Sequence, residues 1–273
     1  MKVRSINRQV LILMLVVTII PILLLSALYL YSYDQNFKKQ KFEQLSLIAD
    51  KKSTQISNYI EERIGVAVLT AHSASSVEGL KVLIPQFKER LINQEVYRQL
   101  QKSYRDKLQF ALDRGFYDIF LISPSRDILL SLKGEEDLYT NLTTGLYAES
   151  ELAKQVNKAF SLEESSLSKF TYYLPSKADS AFIAVSVLEN NQVLGVIAFQ
   201  LGIEKLTAVV RDNTGLGLTG KSQLAYVDNQ QLFLITGTDT KNGFTKVNGT
   251  PIFLAGVMQQ AVTGDSGYGI VKD

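Results

Sequence analysis

The sequence predicts an α+β protein in which an N-terminal apolar helix and a long helical stalk lead into an antiparallel sheet. Three observations predict it. Residues 10–30 are apolar apart from Thr18, Pro21 and Ser26. Residues 42–69 and 87–111 carry apolar side chains mostly three and four positions apart, the period of an amphipathic helix. From Tyr117 onwards short β-rich runs alternate with turn residues, the pattern of hairpins.

At about 1.5 Å per residue the first apolar run covers roughly the 30 Å of a bilayer core, which predicts a transmembrane helix. It is longer than the apolar core of a cleaved signal peptide, and no A-x-A-like site follows it. Lys2, Arg4 and Arg8 before the run are matched by Lys38, Lys39 and Lys41 after it, so charge alone does not set the orientation. The stalk follows, with Phe42, Leu45, Ile48, Ile56, Ile60 and Ile64 on one stripe. Ile56 and Ile60 are expected to form a homodimer seam. Phe87, Leu91, Val96, Leu100, Tyr104, Leu108 and Ala111 read as a single antiparallel return helix that stops at Gly115.

In the body, 117–122 and 128–133 form a hairpin across the turn residues Ser123-Pro-Ser-Arg-Asp127. Residues 149–160 read as a helix, 170–174 and 181–188 as strands, and Glu189-Asn-Asn-Gln192 as a turn into a strand over 193–201. A short helix over 203–211 closes this part. Strands at 223–227 and 231–235, a helix at 251–261 and a last β-like run at 268–272 complete the reading.

Composition narrows the function classes. The 273 residues suffice for one or two domains, and a net charge of +2 gives no field that would select nucleic acid or an acidic substrate. There is no cysteine, and one histidine, His72, excludes a multi-histidine metal site. His72 is expected to be buried or satisfied at the surface. No cofactor, metal or nucleic acid is expected as a partner. Asn141-Leu-Thr143 and Asn248-Gly-Thr250 fit the glycosylation sequon but are expected only to mark turns.

Thr214-Gly-Leu-Gly-Leu-Thr-Gly-Lys-Ser222 satisfies the phosphate-loop pattern G-x-x-x-x-G-K-[ST] through Gly215, Gly220, Lys221 and Ser222. In that motif backbone N–H groups cradle phosphates at a strand-to-helix turn. Here a helical stretch precedes and a β-like stretch follows, so a joint between two structural units is the expected role. A membrane-anchored P-loop NTPase is the alternative. Val68-Leu-Thr-Ala-His72 and Gly264-Asp-Ser-Gly267 loosely resemble the histidine and serine motifs of trypsin-like proteases. The helices between them do not suit a double β-barrel, and turn chemistry explains the second motif more simply.

The pieces Gly115-Phe-Tyr-Asp-Ile-Phe-Leu-Ile122, Ser125-Arg-Asp-Ile128, Asn141-Leu-Thr-Thr-Gly-Leu-Tyr147, Tyr173-Leu-Pro-Ser176, Ala181-Phe-Ile-Ala184, Gly195-Val-Ile-Ala-Phe-Gln-Leu201 and Thr214-Gly-Leu-Gly-Leu-Thr-Gly220, then Tyr226-Val-Asp228, follow in order. Together they resemble the double-Cache (dCache) extracytoplasmic sensor domains of bacterial chemoreceptors, histidine kinases and diguanylate cyclases. The resemblance implies two PAS-like units on a long N-terminal helix. Residues 1–33 would be a cytoplasmic tail and transmembrane helix, and 34–212 the stalk and membrane-distal Cache unit. Residues 213–273 would be an incomplete membrane-proximal unit, making the chain an N-terminal fragment without its output module.

The implied function is small-molecule sensing and transmembrane signalling, by a non-enzymatic homodimer in the cell membrane with residues 34–273 outside the cytoplasm. Tyr147, Tyr172, Tyr173, Ser176 and Phe182 are the implied ligand contacts. Members that bind amino acids resemble one another in an Arg-x-Trp-Tyr element and a later Asp; this chain has no Trp, which disfavours an amino-acid ligand. A structural or adaptor protein whose aromatics only fill a core is the remaining alternative.

Overall fold

The computed structural model describes residues 3–228, 231–235, 239–240 and 243–244. The expected helix at 251–261, the run at 268–272, Asn248 and the motif at 264–267 lie outside the described residues.

Helix α1 (Val3–Ala71) runs without interruption for 69 residues. Its apolar part is the one helix among the described residues long and apolar enough to cross a membrane, with a mean hydropathy of 3.0 and none of that segment buried. Thr18 donates its hydroxyl back to Met14 O at 2.9 Å, so the single hydroxyl at mid-span brings no unmet polar group. Leu11, Leu13 and Met14 are all more than half exposed. An apolar surface without protein cover suits lipid.

Two helices, not one, follow the stalk. Helix α2 (Ala74–Glu89) starts at Ser73, whose Oγ accepts from Ser76 N at 3.3 Å. Helix α3 (Gln94–Leu112) begins after a break at 90–93. The expected single return helix is thereby corrected: Phe87 ends α2, Leu91 lies exposed in the break, and Val96 faces solvent. Gly79 and Pro85 inside α2 weaken its local helix signal. Burial of Leu80, Leu83 and Phe87 in the core outweighs that deficit. Gly115 sits at φ +99 just past α3, with its N–H on Leu112 O at 2.9 Å, as a helix-ending glycine should.

Strands β1 (Asp118–Ile122), β2 (Ile128–Ser131), β3 (Thr171–Tyr173), β4 (Ala178–Glu189) and β5 (Gln192–Gly202) form one sheet in the order β2-β1-β5-β4-β3. Every pairing is antiparallel. The β4–β5 hairpin turns on Asn190 and Asn191, both at positive φ (50 and 62), which asparagine tolerates in a two-residue turn. Helix α4 (Glu151–Phe160) is capped by Ser150, which accepts from Ala153 N at 3.2 Å. Helix α5 (Glu204–Arg211), β6 (Ala225–Asp228), β7 (Gln231–Leu234), β8 (Asp239–Thr240) and β9 (Gly243–Phe244) follow.

Alternation along the strands sends side chains to two cores. Ile119, Leu121, Ile183, Val185, Ile197 and Phe199 pack on the stalk side against Ala67 and Ala71 of α1 and Leu80, Leu83 and Leu108 of α2 and α3. Phe120, Ile122, Phe182, Ala184, Val196 and Ala198 point the other way, under Leu152, Ala153 and Val156 of α4. The α+β class and the curled antiparallel sheet agree with expectation. Ile56 differs: it packs against the small cluster of Phe170, Ala181, Ile203 and Leu206. Ile56 and Ile60 also share a cleft with Leu167 and Phe170. Both therefore face their own chain, and the expected seam at these positions is corrected.

Candidate functional site

The α4-side face of the sheet is apolar at its middle and polar at one end. Pairing explains the position: Asp118 heads β1 and lies opposite Gln200 of β5, which lies opposite Phe182 of β4. Alternation puts Asp118 and Gln200 on the same face as Phe120 and Ala198. Ser131, Ser180 and Asp137 join them, and all five polar residues are at most 1% exposed.

Tyr173, Phe182 and Tyr147 form the wall beside this polar end. The Tyr173 ring meets Phe182 edge-on at 4.9 Å and Tyr147 at 5.9 Å. Its hydroxyl donates to Asp137 Oδ2 at 2.7 Å. Gln200 Nε2 donates to Ser180 Oγ at 2.8 Å and to Ser176 Oγ at 2.9 Å. Asp118 accepts from Ser131 Oγ at 2.6 Å, Ile119 N at 2.7 Å and Lys133 N at 3.0 Å. Tyr117 donates to Glu135 Oε1 at 2.5 Å.

The environment favours neutral forms. Burial pushes the Asp118 carboxyl up to about 6, against the lowering effect of its Ser131, Lys133 and Ile119 donors. Burial likewise raises Asp137, opposed by the Tyr173 hydroxyl and helped by Glu135. Tyr173 is raised by burial and then by Asp137. The Glu135 hydrogen bond, followed by burial, pushes Tyr117 up to about 12. Asp137 Oδ1, Gln200 Oε1 and Glu135 Oε2 are buried without a well-formed hydrogen bond among the described residues, the backbone N–H groups of Asp137 and Leu138 lying close enough to the Asp137 carboxyl to oppose its rise. Enclosed acceptors of this kind call for an N–H or O–H partner.

Of the five residues singled out from the sequence, the fold brings Tyr147, Tyr173 and Phe182 together and places Ser176 beside them through Gln200. Tyr172 is separated from them, 59% exposed on the opposite side of β3. Sequence reasoning missed Asp118, Asp137 and Gln200. Asp118 and Gln200 carry a signal: they are polar residues at inward positions of otherwise apolar strands. Asp137 carries none, because it reaches the site from the irregular segment between β2 and α4.

The glycine-rich stretch lies elsewhere. Thr214 to Thr219 forms turns, α5 precedes it and β6 follows it, so the stretch does not lead into a helix N-terminus as a phosphate loop does. Gln44 Nε2 donates to Gly215 O at 3.0 Å, and Lys52 Nζ donates to Val210 O at 3.1 Å and Asp212 O at 2.5 Å. The stalk thus grips the stretch at its start. His72, just past the end of α1, is exposed, its Nδ1 2.8 Å from Val68 O in the last turn of that helix.

A five-stranded antiparallel sheet in the order 2-1-5-4-3, spanned by one long helix on one face and a short helix and loop on the other, is a PAS-like arrangement. The α+β, PAS-like fold class agrees with expectation. No family profile matches the chain, and no curated protein does. Among solved structures the Vibrio cholerae histidine kinase DctB sensor domain matches 74% of this chain and 66% of its own, at 14% identity and a TM-score of 0.46. The Escherichia coli DcuS sensor domain matches over 57% of this chain and 97% of its own, at 14% identity and a TM-score of 0.36. The ligand-binding domain of the Pseudomonas fluorescens chemoreceptor CtaA, in complex with L-alanine, matches over 78% and 92%, at 13% identity and a TM-score of 0.39. The chain spans about two thirds of the length of the first of these.

Proposed function

We propose that the chain senses a small polar molecule outside the cytoplasm and passes the signal through the membrane along α1. The observation that carries this reading is continuity. One helix holds the apolar span at its N-terminal end and, at its other end, buries Ala67 and Ala71 in the core beneath the sheet. A repacking of the sheet is therefore felt by the same rigid element that enters the bilayer. Residues 34–212 would be the membrane-distal Cache unit and residues from 213 the start of a membrane-proximal one. The chain acts as a homodimer through an outward stripe of α1 that includes Leu47 and Leu69.

The ligand site is the polar end of the α4-side face, with Tyr147, Tyr173, Phe182 and Ser176 as contacts and Asp137 and Gln200 as acceptors. Tyr172, on the other side of β3, contributes at most from the rim. The enclosed acceptors favour a ligand that carries hydrogen-bond donors. The test is a thermal-shift screen of small metabolites, with Mg-ATP included, on the full chain in detergent. A donor-bearing solute is expected to raise the melting temperature in proportion to the logarithm of its concentration, and Asp137→Asn to remove the shift. Stabilisation by Mg-ATP that is lost in Lys221→Ala would overturn the reading in favour of a nucleotide site.

A further inference from the structure

We propose that the notch between the end of α2 and the start of α3 is a second small-molecule site, for an organic carboxylate with a flat apolar body. The notch has a volume of about 190 Å³ and is lined by Arg90, Leu91, Gln94, Tyr97, Arg98 and Tyr139. At roughly 30 Å³ per water it holds about six, room for a single ring with one charged group. It lies on the stalk-helix side of the molecule and shares no residue with the polar end of the α4-side face.

The guanidinium of Arg90 is already placed for an anion. Its carbon stacks 3.8 Å from the Phe87 ring centroid and 5.5 Å from that of Tyr139. Nη1 donates to Phe87 O at 2.7 Å, which fixes the plane and leaves the remaining donors to a ligand. No carboxylate forms an ion pair with it among the described residues, whereas Lys81, Lys107 and Lys154 each have one. Arg98 adds a second positive charge; its partner Glu95 stands 3.9 Å away with both side chains mostly exposed, a pairing that water screens and a ligand can displace. A planar fork held flat by stacking is suited to bidentate carboxylate recognition.

The apolar half comes from Leu91, 74% exposed, and Tyr139, 38% exposed. Tyr139 holds a left-handed backbone at φ +70, unusual for a bulky side chain. Four contacts keep it there: its N–H on Ile128 O at 3.1 Å, its hydroxyl on Gln101 Oε1 at 2.9 Å, and the rings of Tyr97 and Phe87 at 6.0 and 6.3 Å. These contacts hold the ring in place against the cost of that backbone. The result is an aromatic wall in one notch with two arginines, the Arg90 guanidinium 5.5 Å from the Tyr139 ring. A flat ring against Tyr139 and Leu91 leaves its carboxylate at Arg90.

Isothermal titration of the full chain in detergent, at constant ionic strength, tests this with benzoate, its neutral isostere benzamide, and acetate. Benzoate is expected to bind saturably. Benzamide and acetate should each bind at least about tenfold more weakly, and Arg90→Gln should weaken benzoate by at least about tenfold, the loss of a charged hydrogen-bond pair. Arg98→Gln, at an exposed position where folding is not at stake, should weaken it by a smaller factor. Asp137→Asn should leave benzoate binding unchanged, which separates this site from the sensing site proposed above. Absence of saturable benzoate binding, equal binding of acetate, or unaltered affinity in both arginine variants would overturn the proposal.

Discussion

Gly215 shows what one residue decides. It stands at φ +82, a backbone that strains any side chain, and a Cβ there would lie 3.0 Å from Ile48 Cδ1 on the stalk, which would have to give by a few tenths of an ångström. Gly215→Ala is expected to cost about 1–2 kcal/mol and to lower the melting temperature by several degrees in a calorimetric scan. At Asp118 the expectation concerns pH. A carboxyl raised to about 6 holds its proton more tightly folded than unfolded, so its stabilising contribution is full below the ordinary value near 4 and is lost as pH rises through about 6. The upper bound is about 3 kcal/mol for a shift of this size. Asp118→Asn should accordingly flatten the rise in melting temperature between pH 7.5 and 5; an unchanged slope would place the titration elsewhere, Asp137 being the next candidate because burial raises it too.

Among the elements, those whose local signal and tertiary role agree were legible in the sequence. The hairpin at Asn190-Asn191, the helix ending at Phe160 and the apolar stripe of α3 around Tyr104 and Leu108 all state their structure within a few residues. α2 was hidden because Gly79 and Pro85 argue locally against the helix that packing imposes. The candidate site was legible by half. Aromatics in strands advertise a wall, but the polar end is assembled from β1, β5 and an irregular segment, and no spacing rule links Asp118, Asp137 and Gln200. The grip of Lys52 was equally silent. Its ammonium meets carbonyls at the end of α5, where the helix dipole favours a positive charge. Lys52→Met should therefore loosen α5 from the stalk, raising amide exchange over residues 204–212 while leaving β4 and β5 protected, as read by hydrogen exchange.

For the whole molecule, assembly is the open dimension that experiment can reach directly. The chain has no cysteine, so single substitutions report contacts cleanly. Leu47→Cys and Leu69→Cys, outward on α1 at 70% and 75% exposure, are expected to cross-link in native membranes under mild oxidation, and Ile60→Cys, turned into its own chain, is not. Cross-linking at Ile60 in preference to Leu47 would reverse that assignment of faces. The unbroken run of α1 has a mechanical meaning as well. From Asp34 to Ala71 the helix is about 55 Å long at 1.5 Å per residue, and its upper end is clamped in the core. It is also tied lower down, at Gln44 and Lys52, to the glycine-rich stretch and the end of α5. On the proposed function the arm would be held at two heights, so a tilt at the sheet has to carry that stretch with it, and one degree over the full length would sweep the Asp34 end through about 1 Å.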